Sequence, residues 1–483
     1  MDNELKPRPD TAPLLWLGLV LSLALVLAFL LPVTPQDYWW YLRVGRDTLS
    51  AGSVPRVNTL SSSQAGSPVF YFSWGAAVLF WLIHKLGGLT LTVLLRGVLI
   101  ALAYSSAWLT GRRLGAGRIS AALGILLAVL ASSNNWSMRP QLFAYPLFSL
   151  SLFLLYRWHK GHKKAVYWLP LLGLFWVNLH GSFVMLILLA GAALVFGRGD
   201  RRTMALAFTG MLLASLLNPR GPASWTYVYQ SLTVASSQQF SAEWLPPLNT
   251  GWQMNIFFIW LLVFPLLAVL SPRKLDRLEW AWFLGFGCLA LSGERYVIWF
   301  VLILAVLTSV LWSDWEKKFL GDPKPGSPVL NIALSLVFIL LPLALLPGVR
   351  QSWWQKAPAA TENTPHAAAA WLAEHPDLPG PLWAEIGFAS YLEFSLPSRA
   401  PWMDTRFEVF PVEQWEQYRA VSSGEWSWQA LLDDAGVNLL LVSQVEQPRL
   451  EAALEASPDW CSPYDDDLAS LYLRKTDGTC GEK

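Results

Sequence analysis

Long apolar runs separated by short polar intervals fill the chain as far as residue 346. A helix that spans a bilayer needs about 20 apolar residues, fewer where the membrane is thin or invaded by water. This spacing predicts eleven such segments, near 14–33, 88–109, 119–133, 141–157, 165–179, 182–197, 203–217, 253–271, 278–292, 296–313 and 327–346. The run 75–86 (GAAVLFWLIHKL) is too short to span and reads as an amphipathic surface helix closing the polar interval before it. Beyond Gly348 the pattern changes to alternating helical and strand periodicities. WLAEHPD, PLWAEIGFASYLEFSLP and APWMDTRFEVF are soluble in character, EQWEQYRAVSSGEWSWQALLDDAG carries helical spacing, VNLLLVSQV is β-rich, 446–456 is a short helix and LASLYLRK a last strand. That alternation predicts a small α/β domain. The expected architecture is an α-helical multi-pass membrane protein: a transmembrane domain over 1–348 with a first outer loop at 34–87, and a C-terminal extracytoplasmic α/β domain over 349–483.

Basic residues in short loops orient the segments. If the eleven alternate, one side receives Lys6 and Arg8; Arg112, Arg113 and Arg118; Arg157, Lys160, Lys163 and Lys164; Arg198, Arg201 and Arg202; Arg273, Lys274 and Arg277; and Lys317, Lys318 and Lys324. That side is the cytoplasm. The other side receives Asp37 and its loop, SNNWSMRPQ, NLHGS, NPRG with its sequel, GERY and the C-terminal domain, so every unusual polar motif falls on one face. Segments 165–179 and 182–197 are short for two crossings. NLHGS therefore turns below the outer surface, beside a hydrophilic pocket at Asn178 and His180, or else forms a tight helical turn at Gly181–Ser182.

Composition agrees with a membrane protein. Hydrophobic residues make up 54% and charged ones 14%, against about 25% charged in soluble domains. A net charge of +1 gives no basic bulk for nucleic acid. The N-terminal run lacks a small-residue cleavage site and reads as an anchor. Three cysteines exclude a disulfide-rich scaffold. Cys288 sits in an apolar run, whereas Cys461 and Cys480 would pair only in an oxidising compartment.

The richest chemistry lies in the first outer loop, TPQDYWWYLRVGRDTLSAGSVPRVNTLSSSQAGSPVFYFSW. Asp37 stands at the membrane exit beside bulky aromatics that lower the local dielectric, an environment that makes a carboxylate a better base. Its plainer reading is a cap for the helix that begins at Tyr38. The outer face carries Arg43, Arg46, Arg56, Arg139, Arg220 and Arg295 and almost no lysine. Guanidinium forks match phosphate oxygens in bidentate fashion, although pairing with Asp47, Glu243 or Glu294 would explain some of them. His180 has no partner at ligand spacing, so zinc is not expected and no metal ligand is assigned. Asn218–Gly221 and Glu243–Pro246 read first as loop punctuation, and Asp404–Arg406 as a turn salt bridge. GxGxxG, Walker, GxSxG and HExxH motifs are all missing, which excludes nucleotide-driven pumps and the common hydrolases.

The stretch DYWWYLRVGRDTLSAGSVPRVNTLS resembles the first loop of bacterial multi-pass proteins of the GT-C glycosyltransferase class. RPQLF (139–143), NLHGSF (178–183), NPRG (218–221), EWxP (243–246) and MDTRFE (403–408) follow in the same order. The resemblance implies a polyprenyl-phosphate-linked sugar donor, transfer on the extracytoplasmic side of the plasma (inner) membrane, and inversion at the anomeric carbon. It implies that Asp37 is the base, with Gln36 standing where many relatives have a second acid; Mg²⁺ or Mn²⁺ is the cofactor such a carboxylate pair would take. In this reading Arg43, Arg46, Arg139, Arg220 or Arg295 hold the donor phosphate. Trp39, Trp40 and Trp74 stack on sugar or lipid, and Asn178, His180, Glu243, Asp404 and Arg406 bind substrate. The acceptor is a glycan, lipid or protein. The rival readings are a transporter or flippase of lipid-linked or polar solutes, and a non-catalytic envelope scaffold. Apart from Arg96, charged residues avoid the helix centres, which favours a one-sided enzyme over a transporter.

Overall fold

The computed structural model describes residues 10–321, 326–354, 361 and 363–475. Cys480, and with it the Cys461–Cys480 pairing, lies outside them, as do Lys6, Arg8 and Lys324. The protein is mostly helical, and a helix occupies each of the eleven apolar intervals. Among the described residues, five helical stretches are long and apolar enough to cross a membrane: Ala12–Leu30, Trp74–Arg113, Gly251–Leu270, Glu294–Leu320 and Pro328–Leu345. Gly181–Phe196 is apolar but shorter. The remaining intervals form helices too short or too polar to count by length and composition alone.

The chain divides into two compact units. One comprises the chain up to Leu31, Leu86–Ser224 and Ala242–Ala359. The other comprises Pro32–Lys85, Trp225–Ser241 and the chain from Ala360. The first outer loop thus groups with the C-terminal domain, so the boundary in polarity near residue 348 is not the boundary between the compact units.

In the helical unit, Val297–Leu320 is buried along most of its length and packs against Arg118–Ser132. Glu316 near its end accepts from the amides of Ile119 and Ser120, supplying a tertiary cap for the first turn of Arg118–Ser132. Arg96, a charge near the centre of an apolar run, is fully buried and donates through Nη2 to the Leu31 carbonyl just past the helix Ala12–Leu30. A cation is favourable at that negative end of the helix dipole. The 75–86 and 88–109 intervals join in one helical stretch, Trp74–Arg113, interrupted where Gly88 adopts φ 56° and ψ −149°. That conformation is essentially restricted to glycine.

The other unit contains a four-stranded sheet of β1 (Leu382–Ala384), β2 (Leu439–Ser443), β3 (Trp460–Asp465) and β4 (Ala469–Arg474), in the order β1-β2-β4-β3. β2 runs parallel to β1 and antiparallel to β4, with Leu382 opposite Leu439 and Leu441 opposite Leu471. All five residues of β2 are buried, as a central strand covered on both faces requires. Pro463 sits in β3 where the register to β4 shifts, a position open to proline because it lies on an edge strand.

Within this same unit, Tyr38–Ala51 packs against Ile386–Ser395, and the Trp40 amide donates to Ser390 Oγ at 3.2 Å. Gly45 lets Tyr38–Ala51 approach the start of Trp74–Arg113 closely, since a Cβ there would lie 2.1 Å from the Ala77 carbonyl oxygen.

Candidate active site

Asp37 is half-buried and occupies the N-cap position of Tyr38–Ala51, yet its side chain makes no capping hydrogen bond. Instead Oδ1 accepts from Thr405 Oγ1 at 2.6 Å. Trp40 Nε1 donates to the same Thr405 oxygen at 3.2 Å and stands 3.5 Å from Asp37 Oδ1. The capping role expected as the plainer reading is therefore not what the carboxylate does.

Thr405 is half-buried between two buried residues, Asp404 and Arg406. The Arg406 guanidinium donates through Nε to Asp404 Oδ1 at 2.8 Å, and through Nη2 to Asp404 Oδ2. It also reaches Tyr71 Oη at 2.9 Å and Asn58 Oδ1 at 3.0 Å, both in the first outer loop. Asp404 and Arg406 thus form a buried internal brace, not a turn ion pair at the surface. Glu393, also fully buried, lies beside Asp404; burial and that neighbouring carboxylate push its carboxyl well above the usual range. Burial pushes the Tyr71 hydroxyl up to about 12.

Arg43 donates through Nε to Asp47 at 2.6 Å and through Nη1 to the Glu393 carbonyl at 2.8 Å. Arg46 is 3.6 Å from Asp47 and lies over the Phe394 ring. Both are engaged with Asp47, which they share. Trp39 and Trp40 are buried as well. Trp39 packs among Tyr38, His84, Tyr391 and Phe394, and Trp40 stacks on Tyr41. Their rings are occupied by protein rather than offered to sugar. Trp74, partly exposed, starts its helix.

A second cluster forms within the helical unit from three motifs distant in sequence. Arg139 Nη1 donates to Glu243 Oε2 at 2.9 Å, and Arg295 Nη1 lies 3.9 Å from Glu243 Oε1. The Arg295 guanidinium sits 3.9 Å above the Trp244 ring, and Asn134 donates to Glu294. Although burial opposes it, the Arg139 and Arg295 charges hold the Glu243 carboxyl below its usual range. Two partly exposed guanidiniums share one carboxylate. His180 is near this pair; burial, then the Arg295 and Arg139 charges, push its imidazole down to about 3. Its Nδ1 accepts from the Ser182 amide at 3.1 Å and meets Ser182 Oγ at 2.7 Å, closing the Gly181–Phe183 turn. Asn178 donates to the Leu174 and Leu217 carbonyls. NLHGS is thus the tight turn, with Asn178 serving backbone. Arg220 is partly exposed, in a loop shaped by Asn218.

No protein-family model matches the sequence. A search of curated proteins gives no match either. Solved structures do match. The archaeal oligosaccharyltransferase AglB from Archaeoglobus fulgidus, in complex with an inhibitory peptide and a dolichol-phosphate, is similar with a TM-score of 0.58 at 11% identity, over 95% of this chain and 74% of that one. The Archaeoglobus fulgidus oligosaccharyltransferase tethered to an acceptor peptide containing the NVT sequon gives 0.57 at 12% identity over the same shares. The fold is that of these oligosaccharyltransferases. An arabinofuranosyltransferase, AftD from Mycobacteria, also matches, at a TM-score of 0.49 and 16% identity.

Gln36 stands beside Asp37 where a second carboxylate would complete a pair for a divalent cation, and among the described residues no group of three or more His, Cys, Asp or Glu side chains is placed to hold a metal. Thr405 and Glu393 were not marked by the sequence. The signal for Thr405 was present in MDTRFE, where flanking residues that pair internally leave the middle one facing the other way.

Proposed function

We propose that the protein is a membrane glycosyltransferase that moves a sugar from a polyprenyl-phosphate-linked donor to an acceptor hydroxyl on the extracytoplasmic side, inverting the anomeric centre. Asp37 takes the proton from the acceptor as it attacks the sugar. Arg139 and Arg295, which share Glu243 within the helical unit, are the proposed phosphate-binding pair of that unit. The eleven helical intervals are the proposed membrane crossings. The archaeal oligosaccharyltransferase of the same fold is described with a dolichol-phosphate, and a polyprenyl phosphate of that chemistry is the proposed carrier. This last step is an argument by fold analogy. No step is routed through a metal.

The observation that carries the reading is the Asp37 carboxylate: half-buried, released from helix capping and oriented by a hydroxyl. The test uses purified protein in nanodiscs with decaprenyl-phosphate-linked hexose and pentose donors, reading free decaprenyl phosphate by mass spectrometry. Release by the wild type and its reduction by about a hundredfold in Arg295→Ala are expected. Absence of release with every donor, together with movement of intact labelled donor across proteoliposomes, would replace the enzyme with a transporter.

A further inference from the structure

Thr405 has no part in the chemistry assigned to Asp37, yet its hydroxyl donates to Asp37 Oδ1 at 2.6 Å. A hydroxyl has one proton. Because Trp40 Nε1 donates to Thr405 Oγ1, the threonine's own proton is directed at Asp37 Oδ1, and the 2.6 Å separation is that of a charge-assisted O–H···O⁻ bond. A β-branched side chain is stiff at χ1. The backbone around it is fixed as well. Arg406 donates its own amide to Asp404 Oδ1 at 2.8 Å, while its guanidinium spans Asp404, Tyr71 and Asn58. The Ser62 amide donates to the Pro401 carbonyl, and Ser63 Oγ to that of Trp402, so the chain just before is tied to the first outer loop too.

We propose that Thr405 is the positioning residue for the Asp37 carboxylate, supplied by the C-terminal domain and held by the buried Asp404–Arg406 brace. The proposal rests on Asp37 being the base of the transferase reading. It gives the C-terminal domain a part in catalysis through the hydroxyl that orients the base.

The test compares Thr405→Val, which keeps shape and loses the donor, with Thr405→Ser, which keeps the donor. In the decaprenyl-phosphate-sugar assay, Thr405→Val should lower kcat about 10- to 100-fold with KM nearly unchanged. Thr405→Ser should recover to within a few fold, and in an Asp37→Asn background Thr405→Val should cost nothing more. Loss of folding is monitored separately by thermal unfolding. A double-mutant cycle of Thr405→Val with Asp37→Ala on the melting temperature reads the contact without any substrate. A non-additive cycle with the kcat loss supports the proposal. An additive cycle, or a non-additive cycle with kcat unchanged in an active Thr405→Val enzyme, overturns it. If the wild type releases no decaprenyl phosphate from any donor, the transferase reading fails and the positioning role fails with it, while the cycle still reports whether the contact exists.

Discussion

Glu393 holds a carboxyl in a place with almost no water, 1% exposed, and neither of its oxygens meets a donor from the described residues. Two carboxyl groups side by side cannot both ionise cheaply, so Glu393 keeps its proton and offers it to Asp404, whose charge is matched by Arg406. The folded protein therefore binds a proton that the unfolded chain releases. Its contribution to stability is fully present below the ordinary glutamate value of 4.5 and is lost as pH rises toward the higher folded value. Thermal unfolding from pH 5 to 8 should show a falling melting temperature whose slope flattens in Glu393→Gln; equal slopes would mean that Glu393 is ionised in the fold. Removing the countercharge is a harsher change. Arg406→Met leaves Asp404 buried and unpaired and should cost about 3–5 kcal/mol in unfolding free energy. Arg406→Lys should restore only part of it, because one ammonium cannot span Asp404, Tyr71 and Asn58 at once.

Among the elements, the approach of Tyr38–Ala51 to the start of Trp74–Arg113 depends on Gly45. Gly45→Ala forces the Ala77 carbonyl aside, and denaturant unfolding should show a loss of about 1–3 kcal/mol. A neutral result would show that the helices part readily. The helices were legible because apolar runs and their polar breaks are written directly in the chain: the Gly87–Gly88 pair separates 75–86 from 88–109 at the position where the helical dihedrals fail. β1 and β3 were not. Leu382–Ala384 is three residues long and carries no alternation, and β3 contains proline and a shift of register. The site was half legible. Asp37, Arg139, Glu243 and Arg295 stand out by type and by face. Which arginines are neutralised locally does not show in a linear pattern: Arg43 has Asp47 one helical turn away and is engaged, whereas Arg139 and Arg295 find the same Glu243 from motifs more than 150 residues apart.

For the molecule as a whole, the proposed topology places the basic loops in the cytoplasm and the first outer loop outside. Cysteines introduced as Ala65→Cys and Lys160→Cys, both at exposed positions, separate the two sides. A membrane-impermeant maleimide added to intact cells should label the first above the parent background and leave the second unlabelled until the membrane is opened; the reverse pattern would invert the protein. The grouping of the first loop with the C-terminal domain in one compact unit brings the proposed base, Asp37, to the Thr405 hydroxyl. The most direct test of that account is the release of decaprenyl phosphate by Asp37→Asn beside the wild type in the nanodisc assay. A loss of at least about a hundredfold, with an unchanged melting temperature, is the predicted result. A rate within a few fold of wild type would contradict the assignment of Asp37 as the base.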